Sequence, residues 1–102
     1  MVLEVAILDI RAGERAEFED AFREATPLIA TSPGFLGLEL RKCIEEVDRY
    51  LLLVRWEALE DHVDGFRRSD RYQEWRSLLH RFYDPFPTVE HYRSVIEVGP
   101  GE

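Results

Sequence analysis

Residues 2–10 are almost continuously apolar over a short stretch rich in β-branched side chains, the pattern of a buried strand. Arg11-Ala12-Gly13 turns out of it. Phe18, Ala21, Phe22, Ala25, Leu28 and Ile29 then recur at helical spacing with charged residues between them. This predicts an amphipathic helix with Glu19 and Arg23 paired at i,i+4 on its wet face. Pro27 is expected to kink or interrupt that helix, because proline removes one backbone donor and crowds the preceding turn. Ser32-Pro33-Gly34 closes the segment as a loop. Residues 35–43 and 50–57 read as the second and third strands, joined by the polar stretch Glu45-Glu46-Val47-Asp48. Residues 58–66 read as a short helix that buries Leu59, Val63 and Phe66, with His62 about 100° round from Val63 at the edge of that face. Ser69 is placed to cap a further helix whose Tyr72, Trp75, Leu79 and Phe82 share one stripe. Pro85 and Pro87 end this pattern, and residues 88–98 are predicted to form the fourth strand.

Strand-helix-strand-strand-helix-strand is the order of a ferredoxin-like α+β sheet with right-handed crossovers, helices on one face, and the first and third strands at its centre. The charges agree, since Glu39, Arg41, Glu90 and Arg93 fall on the outer strands. Leu51-Leu52-Leu53-Val54 in the third strand is apolar at both parities, so both faces of the sheet call for cover. Helices supply one cover. A second copy of the chain is the expected other, giving a homodimer through the sheet face.

Composition adds limits. The 102 residues make one domain over residues 1–98 with a short tail over 99–102. A chain of this size buries only about 60–65% of its unfolded surface, which makes association a natural source of core. A net charge of −8 repels a phosphate backbone and argues against nucleic acid. Cys43 is the single cysteine, so no intrachain disulfide forms. The N-terminal stretch carries Glu4 and Asp9 in place of a basic region and apolar run, and no apolar segment nears the roughly 18 residues of a membrane span. The expectation is a cytoplasmic protein with no membrane partner.

Three local patterns stand out: Ser32-Pro33-Gly34-Phe35-Leu36-Gly37; Trp56-Glu57 followed by His62, Phe66, Ser69, Tyr72 and Trp75; and Phe86-Pro87-Thr88-Val89-Glu90-His91-Tyr92. In this order they resemble the antibiotic biosynthesis monooxygenase family of dimeric α+β barrel proteins. The resemblance implies that fold and a site for a small molecule. It spans cofactor-free oxygenases of aromatic polyketides and quinols, haem degraders and isomerases of small signals, so it fixes no single activity. For the haem degraders it implies a pocket asparagine, a tryptophan on the helix after the third strand, and a histidine ligand further along. This chain contains no asparagine, and aligning Ser69-Asp70 puts Phe66 at the tryptophan and Arg76 at or near the histidine. Haem breakdown is therefore not expected.

His62 is the leading candidate base, a side chain that titrates near neutrality beside an apolar face; the plain alternative is a structural histidine. His91, on the fourth strand, is the second candidate, facing either a pocket or the dimer contact. Trp56, Phe66, Tyr72 and Trp75 are candidates to bind a flat hydrophobic or aromatic substrate, or are simply core. His62, His80 and His91 lack the spacing of metal ligands, so neither a metal nor another cofactor is expected. The arginines around the last helix suggest a solvated face, and Cys43 a small buried hydrophobe. Two functions fit these residues. One is a cofactor-independent monooxygenase of an electron-rich aromatic, quinol or enol; the other is a non-oxidative small-molecule-binding dimer serving as carrier, sensor or isomerase.

Overall fold

Along the first strand Val2, Glu4, Ala6 and Leu8 are buried, whereas the residues between them are more exposed. The same alternation buries Tyr50, Leu52, Val54 and Trp56 of the third. A period of two with one face sealed is the mark of a sheet covered by helices on one side. In the computed structural model, which describes residues 1–101, β1 (Val2–Asp9), β2 (Phe35–Lys42), β3 (Arg49–Trp56) and β4 (Val89–Tyr92) make one antiparallel sheet. Its order is β2-β3-β1-β4, with β1 and β3 central as the apolar runs predict. Two helices, α1 (Arg15–Ala30) and α2 (Asp70–Leu79), pack on each other across the sealed face. Phe18, Phe22, Ala25 and Ile29 of α1 and Trp75 and Leu79 of α2 fill the core between them.

Pro27 lies inside α1 without ending it. Proline leaves the carbonyl four residues back without its helical donor. Here the Thr26 hydroxyl donates to that Arg23 carbonyl at 2.9 Å, so nothing is orphaned. The Glu19–Arg23 pair forms at 3.7 Å, and Ser69 caps α2 by accepting from the Tyr72 N–H at 3.2 Å.

Two elements depart from the sequence pattern. β4 ends at Tyr92, well short of residue 98. Its partner is the start of β1, and Tyr92 already lies opposite Leu3, so the chain beyond it runs past the first residues of its neighbour. Val95, Ile96 and Val98 are consequently exposed. The segment after β3 is not a plain helix either: a π turn, Asp61–Gly65, leads into a 3-10 turn, Phe66–Arg68. The wider pitch turns His62 and Phe66 inward together and leaves Leu59 and Val63 half-buried.

Among the described residues nothing covers the other sheet face. Leu3, Val5, Leu51 and Leu53 are half-buried there and Ile7 is exposed. Arg55 lies on this face across Gly37, where a Cβ would fall 2.2 Å from the Arg55 Nη2.

Candidate active site

The loop Ser32-Pro33-Gly34 begins the construction of the site. Gly34 has φ of +82°, and a Cβ on it would meet the Asp61 carboxylate at 2.2 Å. Only glycine combines that conformation with so close a neighbour. The space lets Asp61 accept the Ala58 N–H at 3.0 Å, and the Gly34 carbonyl accepts the Glu57 N–H at 2.9 Å. Both bonds hold the entry to the π turn, and the next residue is His62.

His62 is 4% exposed, deeper than its position beside Val63 suggests. Its imidazole lies nearly parallel to the Trp56 indole, with an interplanar angle of 14° and centroids 5.4 Å apart. Its Nε2 stands 3.3 Å from Oε1 of Glu4, and its Nδ1 lies 2.7 Å from Nε2 of His91. Trp56 Nε1–H donates to the same Glu4 oxygen at 2.9 Å. Glu4 and His91 are direct cross-strand partners, which places His91 on the helix-covered face. One glutamate, two histidines and an indole thus converge from β1, the π turn, β4 and β3.

Glu4 is a carboxylate only 5% exposed, and sequence reasoning missed it. Burial pushes its carboxyl up to about 7, against smaller opposing effects of the Trp56 hydrogen bond and the Arg67 guanidinium. Burial, reinforced by Arg67 and His91, holds His62 down to about 3. His62 is therefore neutral near pH 7, and its 3.3 Å approach to Glu4 is not a charged ion pair. Burial and Arg67 also lower His91.

Glu4 and His62 open onto a cavity of about 210 Å³ between the sheet and α2. Ala6, Leu8, Leu52 and Val89 form its floor, and Ile29, Phe66, Tyr72 and Trp75 its roof. Arg67, His80, Tyr83, Phe86 and Pro87 line the remaining side. Of the four aromatic residues singled out from sequence, Phe66, Tyr72 and Trp75 are on this wall. Trp56 stands behind it, fully buried, and acts on Glu4 and His62. His91 borders a separate surface cleft with Val2, Leu59, Tyr92 and Arg93. Tyr83 is a second residue the sequence did not announce; burial raises its phenol well above the usual range, so it stays protonated and able to donate. His80 reaches the cavity as well, lowered by burial and by Arg76. Among the described residues, no group of three or more His, Cys, Asp or Glu is arranged to hold a metal ion, and no helix is long and apolar enough to cross a membrane.

Comparison with known proteins places this arrangement. The "Uncharacterized protein YczJ" of Bacillus subtilis (strain 168) is 59% identical over 95 residues, covering 93% of this chain and all of that protein. A crystal structure of a "Putative antibiotic biosynthesis monooxygenase" from Bordetella bronchiseptica superposes with a TM-score of 0.88 at 35% identity, covering 93% of this chain and 97% of that one. A "Heme oxygenase (mycobilin-producing)" of Mycobacterium tuberculosis is 30% identical over 59 residues, which is 58% of this chain and 56% of that protein. The family model described as antibiotic biosynthesis monooxygenase matches residues 1–78, a span that contains Glu4, Trp56, His62 and most of the cavity wall. With its ferredoxin-like sheet and helices on one face, the chain belongs to the antibiotic biosynthesis monooxygenase family.

Proposed function

We propose that this protein is a cofactor-independent monooxygenase of a small electron-rich aromatic, quinol or enol, with Glu4 as the general base. The observation that carries the reading is a carboxyl group only 5% exposed, pushed up to about 7 by burial, on the wall of a cavity lined by aromatic side chains. A base works best when its pKa lies close to the working pH. An imidazole held at about 3 is too weak for the task, so the role expected for His62 passes to Glu4, and His62 orients and reports on that carboxyl. Removal of a substrate O–H proton yields an anion, which gives an electron to dioxygen. The aromatic-walled cavity holds the resulting radical pair together. Arg67 supplies positive potential at the wall, and Tyr72 and Tyr83 are phenols positioned to hydrogen-bond a substrate oxygen.

The same base and phenols suit enolisation of a ketone without oxygen, which is the non-oxidative alternative. Oxygen uptake with a panel of quinols and phenols separates the two: consumption above the buffer rate supports the oxygenase, and turnover without uptake supports an isomerase. Glu4→Gln should lower turnover by roughly 10²–10⁴-fold, the usual worth of a general base.

Haem is not the substrate in this reading. A cavity of about 210 Å³ is smaller than the roughly 300–1,000 Å³ of sites for drug-sized ligands, and a porphyrin is larger still. Hemin with a reductant should lose its Soret band no faster with the protein than without it.

The chain is further inferred to work as a homodimer through the open sheet face, where Leu3, Val5, Ile7, Leu51 and Leu53 form an apolar stripe between Arg41 and Glu90. The exposed Val95, Ile96 and Val98 offer more apolar surface for the same contact.

A further inference from the structure

A base that is only 5% exposed must still be able to gain and lose its proton. One chain of close side-chain approaches leads from Glu4 toward the surface. Glu4 Oε1 is 3.3 Å from His62 Nε2, and His62 Nδ1 is 2.7 Å from His91 Nε2. The inner two residues wall the cavity, whereas His91 is only half-buried and lines the separate cleft with Leu59 and Arg93. An imidazole takes a proton on one nitrogen while releasing another, so two in series form a conductor.

We propose that Glu4 exchanges its proton with solvent through His62 and then His91, the three side chains forming a relay from the cavity to the surface cleft. This rests on Glu4 being the proton-exchanging group of the cavity. In the outward direction the carboxyl proton passes from Oε1 to His62 Nε2. The Nδ1 proton of His62 passes to His91 Nε2, and the Nδ1 proton of His91 leaves to water. Glu4 ends as a carboxylate, and both imidazoles stay neutral with their protons moved to the other nitrogen. The inward direction reverses each transfer. Ionisation of Glu4 therefore fixes which nitrogen of each histidine bears the proton: Nε2 in both when Glu4 is a carboxylate, Nδ1 in both when it is an acid.

The remaining titratable or charged side chains around the path are Arg67, Tyr72, His80 and Tyr83 on the cavity wall and Arg93 beside His91. Among the described residues none of these is hydrogen-bonded to the three, and Arg67 acts on them only through its field. His91 is a positioning residue here, since it touches His62 and not the cavity.

The test needs no substrate, so its result is independent of whether the protein is an oxygenase. Protein carrying ¹⁵N-labelled histidine is titrated from about pH 5.5 to 8.5, and long-range proton–nitrogen correlations identify the protonated nitrogen of each ring. The relay requires His62 and His91 to exchange Nδ1–H for Nε2–H together over one interval as pH rises. Glu4→Gln should abolish the change at both rings. In His91→Phe the His62 ring proton should exchange with solvent more slowly by roughly 10²-fold, the low end of what a positioned proton carrier contributes. Tautomers that do not change with pH in the unmodified protein, or that change at separate midpoints, would overturn the proposal even if neither variant folds. Unaltered exchange in a folded His91→Phe protein would do the same.

Discussion

The indole of Trp56 touches both members of the central pair: its Nε1–H donates to Glu4 at 2.9 Å while its ring stacks on His62 at 14° from parallel. A fully buried tryptophan on β3 thereby fixes a carboxyl on β1 and an imidazole on the π turn. Neither group meets a full counter-charge, since the Arg67 guanidinium acts only through its field. Two buried ionisable groups with pKa values displaced in opposite directions have consequences for stability as well as chemistry.

Burial raises Glu4 from 4.5 to about 7, so the unfolded chain loses this proton first and stability falls as pH rises through that window. Burial lowers His62 from 6.5 to about 3, so the unfolded chain binds the extra proton and stability rises with pH across its own window. Between pH 4.5 and 6.5 the two slopes oppose and nearly cancel. Removing one exposes the other. Relative to the unmodified protein, Glu4→Gln should gain stability with rising pH across this range, and His62→Phe should lose it. Each difference should be about 1.4 kcal/mol per pH unit. Urea unfolding of the three proteins at several pH values reads these slopes; parallel curves would mean that neither group is perturbed by folding.

Gly34→Ala should destabilise the fold by about 1–2 kcal/mol through its left-handed backbone alone. The added Cβ also displaces the Asp61 carboxylate, which holds the entry to the His62 turn. The sharper expectation is a change in the His62 ring signals by NMR in a protein that remains folded. An unaltered His62 environment would separate the loop from the site.

Leu53 and Leu52 are neighbours in sequence that face opposite ways. Leu53→Glu should yield a folded monomer, because that side chain points to the open face. Leu52→Glu should prevent folding, since its side chain is 4% exposed and a carboxylate there has no partner. Light scattering and circular dichroism on both variants test this, together with the dimer expected of the unmodified chain. A monomeric unmodified protein at micromolar concentration would remove the dimer, and with it the need for cover on that face.

Much of this was legible in the sequence because it follows from periodicity. The central places of β1 and β3 and the aromatic stripe of α2 rest on apolar runs and a repeat of 3.6 residues, the strand order on the sequence of elements, and the Ser69 cap on residue type. What escaped depends on departures from those periods or on partners far away in the chain. The π turn shifts His62 from the edge of a helical face into the core, and no regular spacing forecasts that. β4 stops early because β1 begins too late to pair with it, a property of two segments together. Pro27 is tolerated because of its neighbour Thr26.

Glu4 was within reach. It shares its parity with Val2, Ala6 and Leu8, the buried set of β1, and an acid in that register announces either a partner or a function. A reading that treats the strand as one apolar run passes over it. His62 and His91 were found by residue type, but their contact was not, since 29 positions separate them in the sequence.

The ionisation of Glu4 is the quantity on which base, relay and pH-dependent stability all depend. Carbon-13 NMR of the labelled glutamate side chains, with Glu4→Gln to assign the resonance, measures it directly. The expected titration has a midpoint near 7 for Glu4, well separated from the exposed glutamates. A midpoint at the ordinary 4.5 would contradict the buried base and the account built on it.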